Sequence, residues 1–238
     1  MLRRVVTAAL PLRRWTSSRR CHGSVQQTPC GGASTDKSRD VCWKCGQPTD
    51  CCSFFCASCS HIQPLRAEGV CNYFKIFGIP ESFAIDAKKV EQLYWSLQKK
   101  MHPDLYGSKS DVEKELSVVN SALVNQAYNL LKAPTSRANY LLHLHGIDAL
   151  GDTTTFVDPA TLMAIMEARE EIEECTSMDE LDRHKAHNAN QIEACMQKLA
   201  EAFDSNQDFD TSKRLTVELQ YLVKLSEAIL DKQDHLDQ

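Results

Sequence analysis

Apolar residues return at helical spacing along most of the chain. Val90, Leu93, Tyr94, Leu97 and Met101 recur every three or four positions, one face of a 3.6-residue period, behind Asp86 as N-cap. Pro103 stops this helix, because proline disfavours helical backbone at the residue before it. His102 is therefore expected at a helix end, with Pro103 and Asp104 in a loop. A second helix opens with a capping box, Ser110 and Glu113, and carries Leu116, Val119, Leu123, Ala127, Leu130 and Leu131 on one stripe. Tyr73, Phe74, Ile76 and Phe77 predict a short helix ahead of this pair. Residues 134–145 predict another behind it, closed by Gly146 at a C′ position.

Gly146 and the Gly, Asp and Thr residues of 151–155 interrupt the pattern and mark a domain boundary. Three more helices follow. The first covers about residues 158–175. The second starts at another capping box, Ser177 and Glu180, with Leu181, Asn188, Ile192, Cys195, Leu199 and Phe203 inward. The third covers about residues 211–230, with Leu215, Leu219, Leu222, Leu225 and Ile229 buried. No strand pattern is present, so the expected class is all-α: a helical hairpin followed by a C-terminal three-helix bundle with short, antiparallel connections.

The first helix of that bundle carries more apolar residues than its core stripe needs. Thr161, Ile165, Ala168, Ile172 and Cys175 fall within about 40° of one line on a helical wheel. Leu162, Met166 and Met163 then lie at about 100°, 140° and 200°, with Glu170, Glu174 and Glu167 at about 180°, 220° and 240°. Exposed apolar groups with an acidic rim predict a partner face, and Met adapts well to a partner. Tyr221, about a quarter turn from the core stripe of the third helix, can join it. The other reading packs Leu162 and Met166 against the first helical block or another helix.

Charge divides the chain. Residues 1–30 hold Arg3, Arg4, Arg13, Arg14, Arg19 and Arg20 and no acid, so with a net charge of −5 the rest sums to −11. An Arg-rich, acid-free leader predicts a mitochondrial transit peptide over 1–30, followed by a polar linker over 31–40. From residue 155 onward 19 acids face 8 bases, which predicts a basic partner surface and argues against nucleic acid. No stretch approaches the roughly 18 consecutive apolar residues of a membrane span, so a soluble protein without a membrane role is expected.

Eight of the eleven Cys lie between residues 21 and 59, without a secretory leader, which favours a metal site in a reducing compartment over a disulfide scaffold. Cys42-x-x-Cys45, ten residues, then Cys56-x-x-Cys59 offers two thiolate pairs on tight turns, the donor set of structural tetrahedral Zn, in a zinc-ribbon-like module over residues 41–62. A thiol-disulfide redox protein and an iron-sulfur ligand set use the same residue type, and Cys51 or Cys52 can replace a neighbour. The loops contain Lys44 as their single base, too little for a nucleic-acid footprint.

The tripeptide His102-Pro103-Asp104, set between two antiparallel amphipathic helices and preceded by Lys99 and Lys100, resembles a J-domain over residues 72–147. A catalytic His-Asp dyad is disfavoured: residues flanking a proline are not expected to share a hydrogen bond, and no nucleophile accompanies them. The run Ala133-Pro134-x-x-Arg137-Ala138-x-Tyr140-Leu141-Leu142-x-Leu144-His145-Gly146, with Leu162-Met163 and Glu167-x-x-Glu170-Glu171, resembles HscB, the J-type co-chaperone family of iron-sulfur cluster assembly. The likeness covers about residues 72–231, and the cysteine module resembles that of animal members. The resemblance implies a non-enzymatic adaptor of the mitochondrial matrix, with a cytoplasmic pool possible in principle. His102, Pro103, Asp104, Lys99 and Lys100 would contact a DnaK-type heat-shock chaperone and stimulate its ATPase. Leu162, Met163, Met166, Glu167, Glu170, Glu174 and Tyr221, in a domain over 156–232, would hold an IscU-type scaffold whose cluster passes to recipient proteins. Met166 and Tyr221 stand where the family often has Leu and Phe, and Gln220 where it often has a basic residue.

Overall fold

The structure, a computed structural model, describes residues 41–50, 52–65, 71–148 and 158–237. The leader, the linker, Cys51 and the 151–155 interruption lie outside the described residues. All described residues belong to one compact unit.

Local signals set the helix starts of the first half. The Asn72 side chain accepts from the Lys75 N–H ahead of α1 (Tyr73–Ile76). Asp86 accepts from the Lys88 and Lys89 N–H groups at 3.0 and 3.1 Å and starts α2 (Ala87–Met101). Pro103 ends α2 as expected, although Pro103–Tyr106 close into a 3₁₀ turn rather than an open loop. Ser110 and Glu113 form both bonds of a capping box at the head of α3 (Asp111–Lys132). Pro134 at the first position of α4 (Pro134–Leu144) turns the chain back. Gly146, at φ +75°, ends α4 in the left-handed conformation that glycine adopts without strain.

Helices α2 and α3 pair as the expected hairpin, but the inner line of α3 is not the apolar stripe predicted. Val119 is 56 % exposed, whereas Ser117, Asn120 and Ser121 are buried beside Val124, Ala127 and Leu131. Burying small polar groups is tolerable only where each is hydrogen-bonded, and these are. Ser117 Oγ donates to the Met101 carbonyl at 2.8 Å, and Asn120 Nδ2 donates to the Gln63 carbonyl at 2.8 Å. Ser121 Oγ donates to Gln98 Oε1 at 2.9 Å.

The second half contains α5 (Pro159–Glu174), α6 (Met178–Ala200) and α7 (Phe209–Leu236). A π-helical turn, Glu201–Asn206, follows α6, and α7 runs six residues past its predicted end. Ser177 is the N-cap of α6 but makes no side-chain cap bond, so the predicted second capping box does not form.

The apolar core does not stop at the predicted boundary. Phe54 and Ile62 of the cysteine module, Phe74, Met101 and Leu131 of the hairpin region, and Leu199, Phe203 and Leu219 of the bundle belong to one cluster. The cysteine module thus shares the core of its neighbours. A clasp reinforces the junction. Asp204 accepts from the Phe83 and Ala84 N–H groups and from the Ser82 hydroxyl, each at 2.9 Å. Arg137 donates to the Phe83 and Leu131 carbonyls and stacks on the Phe83 ring. Burial draws the Arg137 pKa down to about 10, opposed by the Asp204 carboxylate. A smaller cluster, Ile172, Leu181, Leu225 and Ile229, holds the far end of the bundle.

Candidate functional site

Three places gather the residues singled out from the sequence. In the cysteine module, turns of the chain set Cys42 and Cys45 against Cys56 and Cys59, with isolated bridges pairing Val41 with Pro48 and Phe55 with Ile62. Sγ of Cys42 and Cys59 lie 3.6 Å apart, and those of Cys45 and Cys56 3.7 Å. All four lie within 4.8 Å of one another. Tetrahedral Zn with Zn–S near 2.3 Å separates its sulfurs by about 3.8 Å, which the Cys42–Cys59 and Cys45–Cys56 separations match. Backbone N–H groups of Lys44 and Ser58 point at Cys42 and Cys56 Sγ, each at 3.4 Å, and Gln63 Nε2 donates to Cys42 Sγ at 3.2 Å. Such bonds stabilise thiolate.

Burial opposes ionisation at Cys42, but the Cys45 and Lys44 N–H groups and neighbouring thiols outweigh it and bring its pKa to about 6. At Cys59 the His61 N–H favours thiolate, yet burial and three neighbouring thiols push the pKa to about 12. Four crowded thiols cannot all ionise unaided, and a divalent cation resolves that repulsion. Cys52 is not part of the four-sulfur group.

At the hairpin tip, His102 and Asp104 are exposed, as are Lys99 and Lys100 on the last turn of α2, while Pro103 is half-buried. The expectation that His102 and Asp104 share no hydrogen bond is wrong. The 3₁₀ turn brings the Asp104 N–H to 3.3 Å from His102 Nδ1 and the Asp104 carboxylate to 3.5 Å from it. The first contact, with Nδ1 as acceptor, orients the imidazole. The turn itself is anchored where Tyr106, buried, donates its hydroxyl to the Lys100 carbonyl at 3.2 Å.

Sequence reasoning missed how close the cysteine module stands to this tip. Cys59, His61, Lys100, Leu105, Lys109 and Glu113 help line a groove of about 270 Å³. His61 Nε2 lies 4.0 Å from Glu113 Oε1, the capping-box carboxylate. Gln63 bridges Cys42 Sγ through its side chain and Asn120 of α3 through its carbonyl. Leu105, 55 % exposed at the tip, was also missed. The available signal was polar residues at buried helical spacing, Ser117, Asn120 and Ser121, which a search for apolar periodicity discards.

On α5, Ile172 is buried and Met163 and Met166 are 64 % and 57 % exposed. Leu162 is half-buried: with Ile165, Met166, Tyr221 and Leu225 it lines an apolar groove of about 190 Å³, edged by Arg169 and Lys224. The structure therefore brings Leu162, Met166 and Tyr221 together, while Met163 lies outside that lining. Glu170 and Glu174 are exposed, and Glu167 lines a larger cleft of about 450 Å³ between α5 and α6. No helix among the described residues is long and apolar enough to cross a membrane.

A hairpin with an exposed His-Pro-Asp tip defines a class. The DnaJ domain family matches residues 72–140. The HSCB C-terminal oligomerisation domain family matches residues 157–230. The chain is 35 % identical over 191 residues to the "Iron-sulfur cluster co-chaperone protein HscB homolog" of Arabidopsis thaliana, covering 80 % of this chain and 73 % of that protein. It is 33 % identical over 196 residues to the "Iron-sulfur cluster co-chaperone protein HscB" of Homo sapiens, covering 79 % and 80 %. The crystal structure of human co-chaperone protein HscB superposes with a TM-score of 0.73 at 32 % identity, over 82 % of this chain and 98 % of that one. The chain belongs to the HscB family.

Proposed function

We propose that the protein is a non-enzymatic co-chaperone of iron-sulfur cluster assembly, which holds an IscU-type scaffold and delivers it to a DnaK-type mitochondrial chaperone. The observation that carries this reading is the exposed, internally hydrogen-bonded His102-Pro103-Asp104 turn at the end of a DnaJ-type hairpin. Lys99 and Lys100 sit beside it and steer the hairpin to an acidic patch on the ATPase. His102 and Asp104 then favour the chaperone conformation that hydrolyses ATP. The chemistry belongs to the chaperone, and no residue of this chain needs to react.

The client side is the α5 groove. Leu162, Met166 and Tyr221 offer apolar area, Met163 extends it, and Glu167, Glu170 and Glu174 set a negative rim for a basic scaffold surface. Cys42, Cys45, Cys56 and Cys59 hold a structural Zn, which ties the 41–62 module into a fold beside the tip. Residues 1–30 act as a mitochondrial targeting leader ahead of a 31–40 linker, the J-domain spans 72–147, and the scaffold-binding domain spans 156–232.

The test is steady-state ATPase of the partner chaperone with wild-type protein and with His102→Gln. Stimulation is expected to fall at least about tenfold, a loss of about 1.4 kcal/mol in transition-state terms, while scaffold affinity is unchanged. Full stimulation by the variant would remove the tip from the mechanism.

A further inference from the structure

The four-residue pattern Ser-x-x-Glu occurs at the head of two helices with opposite outcomes. Ser110 and Glu113 close both bonds of a capping box at α3. Ser177 and Glu180 close none at α6, and the Glu180 carboxylate instead lies within 4.8 Å of the thiol of Cys175, the C-cap of α5. His184, one turn further along α6, completes a group whose sulfur, oxygen and nitrogen donor atoms all lie within 4.8 Å of one another. Glu171, outside that three-donor group, is the nearest further carboxylate to the imidazole, its Oε2 3.9 Å from His184 Nδ1. Cys175 is buried, and Glu180 and His184 are half-buried.

A thiol beside a carboxylate explains Cys175 and Glu180 alone. It does not explain an imidazole converging on the pair at the expense of a helix cap, which contributes about 1 kcal/mol where it forms. A second observation lies on the same face of α6. Asn188, one turn beyond His184, is buried, and its Oδ1 has no hydrogen-bond partner. Asn188, His184 and Glu171 all line the 450 Å³ cleft between α5 and α6. That cleft gives a hydrated ion a path to His184 and Glu171, and the orphaned amide oxygen a water to accept from.

We propose that Cys175, Glu180 and His184, with Glu171 as fourth donor, form a second site for a divalent cation of the zinc class. Thiolate with imidazole and carboxylate selects a borderline-soft, tetrahedral ion over Mg²⁺ or Ca²⁺. Binding exchanges the thiol proton, released to solvent, for the metal–sulfur bond. The cation fastens the end of α5 to the start of α6, the side on which α5 is otherwise separated from α6 by the cleft. It thereby sets the tilt of the helix that carries Leu162, Met163 and Met166.

The experiment uses the full chain, stripped of metal under reducing conditions and titrated with Co²⁺ while thiolate-to-metal charge-transfer and visible bands are followed. Two phases are expected. The tetrathiolate site fills first, and a second equivalent adds about a quarter to the charge-transfer intensity, one thiolate against four. Cys175→Ala and His184→Gln each abolish the second phase and leave the first, with helix content checked by circular dichroism. His184→Gln leaves the buried thiol in place, so a folding defect at Cys175 does not decide the result. Conversely, Cys42→Ser with Cys59→Ser removes the first phase and spares the second. A single phase in the wild-type chain, or a second phase that survives either Cys175→Ala or His184→Gln, overturns the proposal.

Discussion

The seam between α2 and α3 and the seat of α5 are built from different forces. Along the α2–α3 seam, Gln98 Nε2 donates to Asn125 Oδ1 at 2.7 Å and to the Ser121 carbonyl at 3.2 Å, and Tyr94 donates its hydroxyl to the same Asn125 oxygen at 2.9 Å. Ser117 and Asn120 add bonds to Met101 and Gln63. Each bond is directional and satisfied in one register only, so the hairpin holds its tip in a single geometry. Helix α5 has almost none of this. Of its sixteen residues Ile172 alone is fully buried, and a cleft and a groove flank it. Apolar contact tolerates sliding and repacking. Under the proposed function, a fixed polar constellation suits a trigger that must be presented the same way each time, and a loosely seated Met-bearing helix suits a surface that must mould to a client.

That contrast can be broken most severely at α5. Replacing Leu162, Met163 and Met166 together by Ala is expected to weaken scaffold binding by about tenfold to a hundredfold, as loss of an apolar hot spot does. Calorimetry measures it, and helix content should not change, because these side chains lie outside the core. A collapsed bundle would show that α5 is held as tightly as the hairpin. Next, Asn120→Ala leaves the Gln63 carbonyl without its donor and is expected to cost about 1–3 kcal/mol in denaturant unfolding. Val119→Ala, its exposed neighbour, should stay within about 0.5 kcal/mol.

Asp204→Ala removes three hydrogen bonds from the 82–84 segment, with an expected loss of about 1–2 kcal/mol. Small-angle scattering should then show a looser junction while ATPase stimulation persists. The smallest effects separate the two Ser-x-x-Glu starts. Ser110→Ala should cost about 1 kcal/mol and Ser177→Ala close to nothing in thermal melts, since only the first serine caps its helix. Equal losses would mean that both boxes form in solution.

Much of this molecule was legible before any coordinates. The period of Val90 to Met101, the stop at Pro103, the caps at Asp86 and Ser110 and the left-handed Gly146 are local: each depends on residues within one or two turns. The Cys42, Cys45, Cys56 and Cys59 spacing was equally plain, because knuckle geometry is written in the separation of each pair. Local reasoning misread Val119, Ser177 and the His102–Asp104 contact. Polar neighbours bonded to distant partners displaced Val119, Glu180 lies with Cys175 and His184 instead of closing the box at Ser177, and a 3₁₀ turn closed the His102–Asp104 contact.

The sequence by itself determined that the described residues are mostly helical, where the helices of the hairpin begin and end, which loop breaks the hairpin and which four thiols form a set. These follow from short-range sterics, periodicity and capping, which act before the chain is compact. Tertiary structure alone decided that the cysteine module shares the hairpin's core and stands beside its tip. It also decided that Asp204 clasps residues 82–84. Such contacts join residues up to 122 positions apart, and no local pattern encodes them. Side chains with equal local choices are sorted only when burial withdraws water and leaves each polar group to find the partner that the packed fold supplies.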